Sequence, residues 1–219
     1  IYYLPKSITT YIGKQYEIIT LIIIRRIFKD LSDLKLSSNW FEIKNDLQFT
    51  YDIIASIILF YLLYFFYRKS RKKQEVPLKM INSNIDSFIT FKKAVATCLV
   101  PVLIIIAVYS FSNWISALIN PEIMIGVSFK NINNIFFDEF FTLLILVDVI
   151  LLLASFYYTD KFHKVIRNSG FIISTILIRL SFSVSGLLNT VLIVGAIVFG
   201  LLILIIHNKF EEELNQNMT

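Results

Sequence analysis

A single cysteine, Cys98, stands in 219 residues, which excludes an intrachain disulfide and any site built from several thiolates. Histidine is nearly as scarce, with two, and the sequence carries no glycine-rich phosphate loop, no zinc-ligand spacing and no nucleophile motif. Enzyme chemistry therefore has no constellation to start from, and neither a metal ion nor an organic cofactor is expected. An intramembrane hydrolase would need acids or nucleophiles paired at matched depth, and Asp148 stands alone in its run. The chain opens at Ile1 without a methionine, so residues preceding it are expected and a signal peptide can be neither found nor excluded.

What the chain has in excess is apolar surface. Hydrophobic residues make up 56% of it and the mean hydropathy is +0.69, above the roughly 45 to 50% apolar content of soluble domains. They come in blocks, and the basic residues behind the net charge of +5 sit at the block ends, where orientation in a membrane predicts them. That placement favours membrane lipid over nucleic acid as the partner. Cys98 lies inside an apolar run and reads as a small hydrophobe.

The strongest topological marker is the stretch 68–93. It carries Arg68, Lys69, Arg71, Lys72, Lys73, Lys79, Lys92 and Lys93 against Glu75 and Asp86, and should stay in the cytoplasm. Within it Leu78, Ile81, Ile85, Phe88 and Ile89 recur at helical spacing, suiting a short helix on the membrane surface or an ordinary solvated linker. The expected organisation is an N-terminal membrane segment (1–67), this basic linker (68–93), a four-helix membrane unit (94–209) and an acidic tail (210–219).

In that unit Ala94–Ile119 is a span, 120–134 an outer loop holding only Lys130, and Ile135–Tyr158 the return. The following block, 170–206, is too long for one crossing, since 37 residues make roughly 55 Å of helix against a hydrocarbon core of about 30 Å. The break belongs at SFSVSG, Ser181 to Gly186. Upstream, Tyr51–Tyr67 is a clear span. Ser7–Phe28 is expected to cross as well, although Arg25 and Arg26 would then sit on the side the charge bias disfavours; lying flat is the alternative. The fold class is all-α: a polytopic helical membrane bundle of five or six spans.

Two opposite charges are set deep in these runs, Asp148 in FFTLLILVDVILLLASFYY and Arg179 in FIISTILIRLSFSVSGLL. An isolated charge at bilayer depth costs roughly 2.5 to 3.5 kcal/mol on insertion scales, so the two are expected to meet between neighbouring helices. Arg179 shares a stripe with Thr175 and Ser183, and Asp148 with Ser155 and Thr159. One reading makes these groups a register-fixing pair with hydroxyl donors; the other makes them the lining of a hydrated path for ions, protons or a small anion. Asp138 and Glu139 are rival partners for Arg179, or interfacial acids. In the inner turn Lys161, His163, Lys164 and Arg167 form a basic cluster that orientation alone explains, or that binds a phosphate group or an anionic lipid headgroup. His207 reads as interfacial, Lys14 and Glu17 as a local pair, and Ala196 with Gly200 as a place of close helix approach, internal or between subunits.

The succession VDVILL, KFHKVIR, STILIRLSF and NTVLIVGAIVFGLLIL resembles the bacterial phosphate-starvation-inducible protein E family of small four-span inner-membrane proteins, over about residues 92–209. The correspondence runs through Asp148, then Phe162, His163 and Arg167, then Arg179, and then the small and aliphatic residues Val191 to Ile206. The family's acidic residue is typically longer, its last outer turn more polar and its tail more basic than EEEL. The resemblance implies a multi-pass protein of the bacterial inner membrane and a set of charged positions; it implies no reaction. The leading expectation is an oligomeric pore or transport subunit, a channel for ions or small anions, with Asp148 and Arg179 setting charge preference. The competing one is a non-conducting scaffold or accessory subunit that docks a partner membrane protein through its N-terminal spans or basic linker.

Overall fold

The computed structural model describes residues 2–4, 7–32, 44–71, 83–119, 125–158, 162–184 and 186–216. Six helices follow one another, α1 (Ile8–Ser32), α2 (Lys44–Arg71), α3 (Ser83–Ile119), α4 (Ile125–Tyr158), α5 (Phe162–Phe182) and α6 (Leu187–Gln216), and no strand occurs among the described residues. Stretches long and apolar enough to cross a membrane are Asp46–Ser70, Ser87–Ser112, Phe162–Phe182 and Leu187–Leu214; Thr142–Tyr158 is a shorter one. The chain is an all-helical membrane protein.

Packing does not follow chain order. The sequence suggests a division at the basic stretch, whereas the contacts form one unit from α3, α4 and residues 1–5, and a second from α1, α2, α5 and α6. The hairpin α3–α4 is thus an insertion between the two halves of a four-helix body.

In the insertion, α3 and α4 run antiparallel, the Phe88 ring near the start of one lying 5.5 Å from the Tyr158 ring at the end of the other. Ile85, Phe88 and Ile89 belong to the first turns of α3, which runs on unbroken into the apolar stretch, so no separate surface helix forms there. Leu78, Ile81 and the rest of 72–82 lie outside the described residues. The expected outer loop 120–134 is helical from Ile125 onward.

In the four-helix body the order around the bundle is α1, α2, α6, α5, with α1 antiparallel to α2 and parallel to α5. The sequence reason for the α5–α6 hairpin is the SFSVSG break. Ser183 and Val184 donate their amides back to Leu180 and Ser181 at 3.1 and 3.2 Å, and Gly186 takes φ +74°, a left-handed turn that costs glycine little. α1 is too charged to rank with the apolar helices, yet it lies against α2 from Glu17–Tyr67 to Arg26–Asp52, about 14 Å along α1. Its buried stripe is Ile12, Tyr16, Ile19 and Ile23, at helical spacing. Ile57, Phe60, Tyr61 and Tyr64 of α2 are exposed instead, as lipid-facing residues are.

Candidate functional site

The polar groups of the four-helix body are gathered at three levels. At the end where α2 and α6 begin, Arg26 of α1 grips both carboxylate oxygens of Asp52 on α2 through Nε and Nη2. Its third nitrogen, Nη1, donates to Asn189 Oδ1 on α6 at 2.6 Å. Gln48, one turn before Asp52, donates to Asp52 Oδ1 at 2.8 Å, and Thr190 of α6 reaches the same oxygen at 3.3 Å. Asn189 closes the ring by donating to the carbonyl of Ser181, at the end of α5. All four helices are joined by one half-buried cation and one carboxylate that is fully buried. A fork-shaped guanidinium suits that geometry, since it makes two parallel bonds to the acid and keeps a donor for the amide.

About 15 Å further along, the Tyr16 hydroxyl and Ser174 Oγ are 2.7 Å apart, and Ser174 donates to the carbonyl of Ala196 at 2.6 Å. Tyr16 also begins a ring stack, with Phe66 at 5.2 Å and Phe171 at 6.0 Å from Phe66. Gly200 leaves the room for the phenol: a β-carbon there would overlap the Tyr16 oxygen. Ala196 and Gly200 therefore serve packing inside the chain. Between this level and the Arg26–Asp52 level the interior is filled by Ile19, Ile23, Leu59, Ile178, Ile193 and Ile197, none more than 3% exposed.

Beside Tyr16, at this same second level, Lys14 bonds both oxygens of Glu17 at 2.7 Å, and the Tyr67 hydroxyl donates to the same acid at 2.6 Å. The third level lies where α5 begins. The chain's two histidines meet, with His163 of α5 and His207 of α6 at 5.3 Å between ring centres. His207 is buried and its Nδ1 stands 3.7 Å from Glu211, one turn on. Next to it Asn208 donates to the Lys69 carbonyl at 3.2 Å, tying α6 to α2.

The residues singled out in the sequence fall as follows. Asp148 and Ser155 are buried in α4 of the inserted hairpin, 2% exposed each, while Thr159 and Lys161 lie outside the described residues. Arg179 is half-buried on α5 and so belongs to the other unit. Thr175 is buried and turns its hydroxyl to its own helix, donating to the Ile172 carbonyl at 2.8 Å. Ser183 is exposed in the turn after α5. His163, Lys164 and Arg167 are half-buried in the first turns of α5, Glu139 is exposed on α4, and the Asp138 side chain is outside those described. Among the described residues no group of three or more His, Cys, Asp and Glu side chains stands close enough to hold a metal ion.

Sequence reasoning missed the Arg26–Asp52 clasp. Its signal was present: Asp52 sits at the head of the apolar run DIIASIILF, and Arg26 lies in the last third of a helix that charge bias would place otherwise. An acid and a base that each look misplaced are candidates for one another. The chain matches no protein-family profile, and no characterised protein or solved structure is detectably similar to it.

Proposed function

We propose that this is a membrane protein of five or six spans, placed in the bacterial inner membrane with the basic stretch 68–93 inside, whose four-helix body is a non-conducting scaffold for a partner membrane protein. The observation that supports this is the plug of Ile19, Ile23, Leu59, Ile178, Ile193 and Ile197 between the clasp and the Tyr16–Ser174 bridge. Six close-packed aliphatic side chains leave water no row of polar partners to follow, and a dry interior of this kind resists ion passage. The clasp is then a register device. With Asp52 accepting bonds from Arg26, Gln48 and Thr190, the two charges are directed at one another and at groups of the bundle. Pairing also accounts for Arg26 at the outer end, where an unpaired arginine would oppose the orientation rule. The resemblance to the phosphate-starvation-inducible E family, through Asp148, His163, Arg167 and Arg179, agrees with an inner-membrane location.

Flux in proteoliposomes tests the reading. Purified protein should give no proton, potassium or chloride flux above protein-free vesicles, while native membranes solubilised in mild detergent should hold it in a complex heavier than its own homo-oligomer. Flux abolished by Asp148→Asn would instead favour the second reading, a transport subunit, for which the buried Asp148 carboxylate is the specific support.

A further inference from the structure

Two of the arginines of the four-helix body, Arg26 and Arg167, are treated very differently. Arg26 is met by Asp52, whereas among the described residues Arg167 bonds a neutral neighbour, with Nε at 3.3 Å and Nη2 at 3.1 Å from Asn168 Oδ1. No carboxylate among the described residues lies within ion-pairing distance of it. Arg167 is also not a surface group pointing away from the bundle. It falls on the stripe of Phe171, Ser174 and Ile178, all buried, four, seven and eleven residues further along α5. A guanidinium keeps its full charge and five N–H donors wherever it sits, so a half-buried one facing the bundle calls for an anion.

The surroundings are built the same way. His163 and Lys164 share the first turns of α5 with Arg167, and Lys69 arrives from α2, its carbonyl held by Asn208. The Tyr16–Ser174 bond sets α1 and α5 in parallel register, so seven residues back Arg167 is level with Thr9 near the start of α1. Both helices thus aim the positive ends of their dipoles at this end of the body. Of the acids of α6 at this end, Glu211 stands 3.7 Å from His207, and Glu212 and Glu213 are exposed. On the adjoining face of α5, Phe162 and Ile166 are 72% and 45% exposed, a place for acyl chains.

We propose that this end of the body binds a phosphate-type oxyanion through Arg167, with Lys164 and His163 beside it, and that the phosphate is that of an anionic lipid headgroup. Arg167 supplies two parallel donors to the phosphate oxygens, Lys164 a point charge, and Phe162 with Ile166 the apolar bed. The site does not depend on whether the protein conducts.

The full chain in nanodiscs containing phosphatidylglycerol and phosphatidylcholine, read by native mass spectrometry, gives the test. Wild type should retain phosphatidylglycerol preferentially; Arg167→Gln should weaken retention by about tenfold or more, Arg167→Lys by less, and Lys209→Gln, an exposed charge, not at all. Inorganic phosphate is the second arm, added to delipidated protein in neutral detergent. A rise in melting temperature with phosphate that Arg167→Gln removes, without any preference for phosphatidylglycerol, would overturn the lipid as occupant. Should Arg167→Gln fail to fold, Arg167→Lys and Lys164→Gln carry the comparison. Equal retention by wild type and these variants, with no response to phosphate, overturns the site altogether.

Discussion

Tyr16 and Gly200 fit as key and notch: the phenolic oxygen of one occupies the space in which the other would carry a β-carbon. Gly200→Ala should therefore expel the Tyr16 hydroxyl and break its bond to Ser174, lowering stability by about 1 to 3 kcal/mol. Gly195→Ala, whose β-carbon meets nothing within 4 Å, should be near neutral. Thermal melting of both variants in detergent checks the contrast, and adding Tyr16→Phe, which removes the clashing oxygen, should recover part of the loss in Gly200→Ala.

The clasp predicts strong non-additivity. Arg26→Met leaves the fully buried Asp52 carboxylate without its partner and should cost about 3 to 5 kcal/mol, while Asp52→Leu leaves the half-buried Arg26 unpaired at a smaller cost. The double variant removes both charges and should cost less than either single one. A double-mutant cycle on unfolding free energy in detergent measures it; additive losses would mean that the two side chains do not act as a pair.

Gly170 faces Ile203 closely, a β-carbon there lying 2.8 Å from two of its side-chain carbons. Gly170→Ala should destabilise the α5–α6 contact by roughly 1 to 3 kcal/mol, and Ile203→Ala in the same chain should relieve it. The sign of the second change is the informative quantity: Ile203→Ala destabilises the wild type but should help Gly170→Ala.

Phe66 and Phe60 stand on one helix with opposite fates. Phe66, fully buried against Tyr16 and Phe171, should cost about 3 to 5 kcal/mol on truncation to alanine. Phe60, 55% exposed, should cost little in micelles or bilayers, because detergent and lipid tails replace the contacts it loses. Equal losses at the two positions would contradict a lipid-facing α2 surface.

Orientation is open to direct measurement by cysteine labelling in a Cys98→Ser background. Lys29→Cys near the end of α1 and Lys209→Cys near the end of α6 should react with impermeant maleimide from opposite sides of the membrane, Lys209→Cys from the cytoplasm. Labelling of both from one side would remove α1 from the spans.

Much of the fold is written in the sequence, and the particular elements show why. The α5–α6 hairpin is legible at SFSVSG because a 37-residue apolar block exceeds the thickness of any hydrocarbon core, so a turn is forced where small and polar residues allow one. The apolar run of α2 from DIIASIILF onward, and the basic stretch after it, are legible for the same reason: transfer into lipid is a property of a segment and needs no knowledge of its neighbours. α1 was the hard element, since its charges argue against lipid when counted alone.

Pairing is of another kind. Arg26 with Asp52, Tyr16 with Ser174 and His163 with His207 are 26, 158 and 44 positions apart, and each depends on which helix lies beside which. No local cost decides that. Hydropathy determined by itself that this chain is a set of membrane-crossing helices and roughly where they turn. Tertiary packing alone decided that α1 and α2 close on α5 and α6 while α3 and α4 form a unit of their own, because side-chain fit and charge neutralisation exist only once distant segments share a volume.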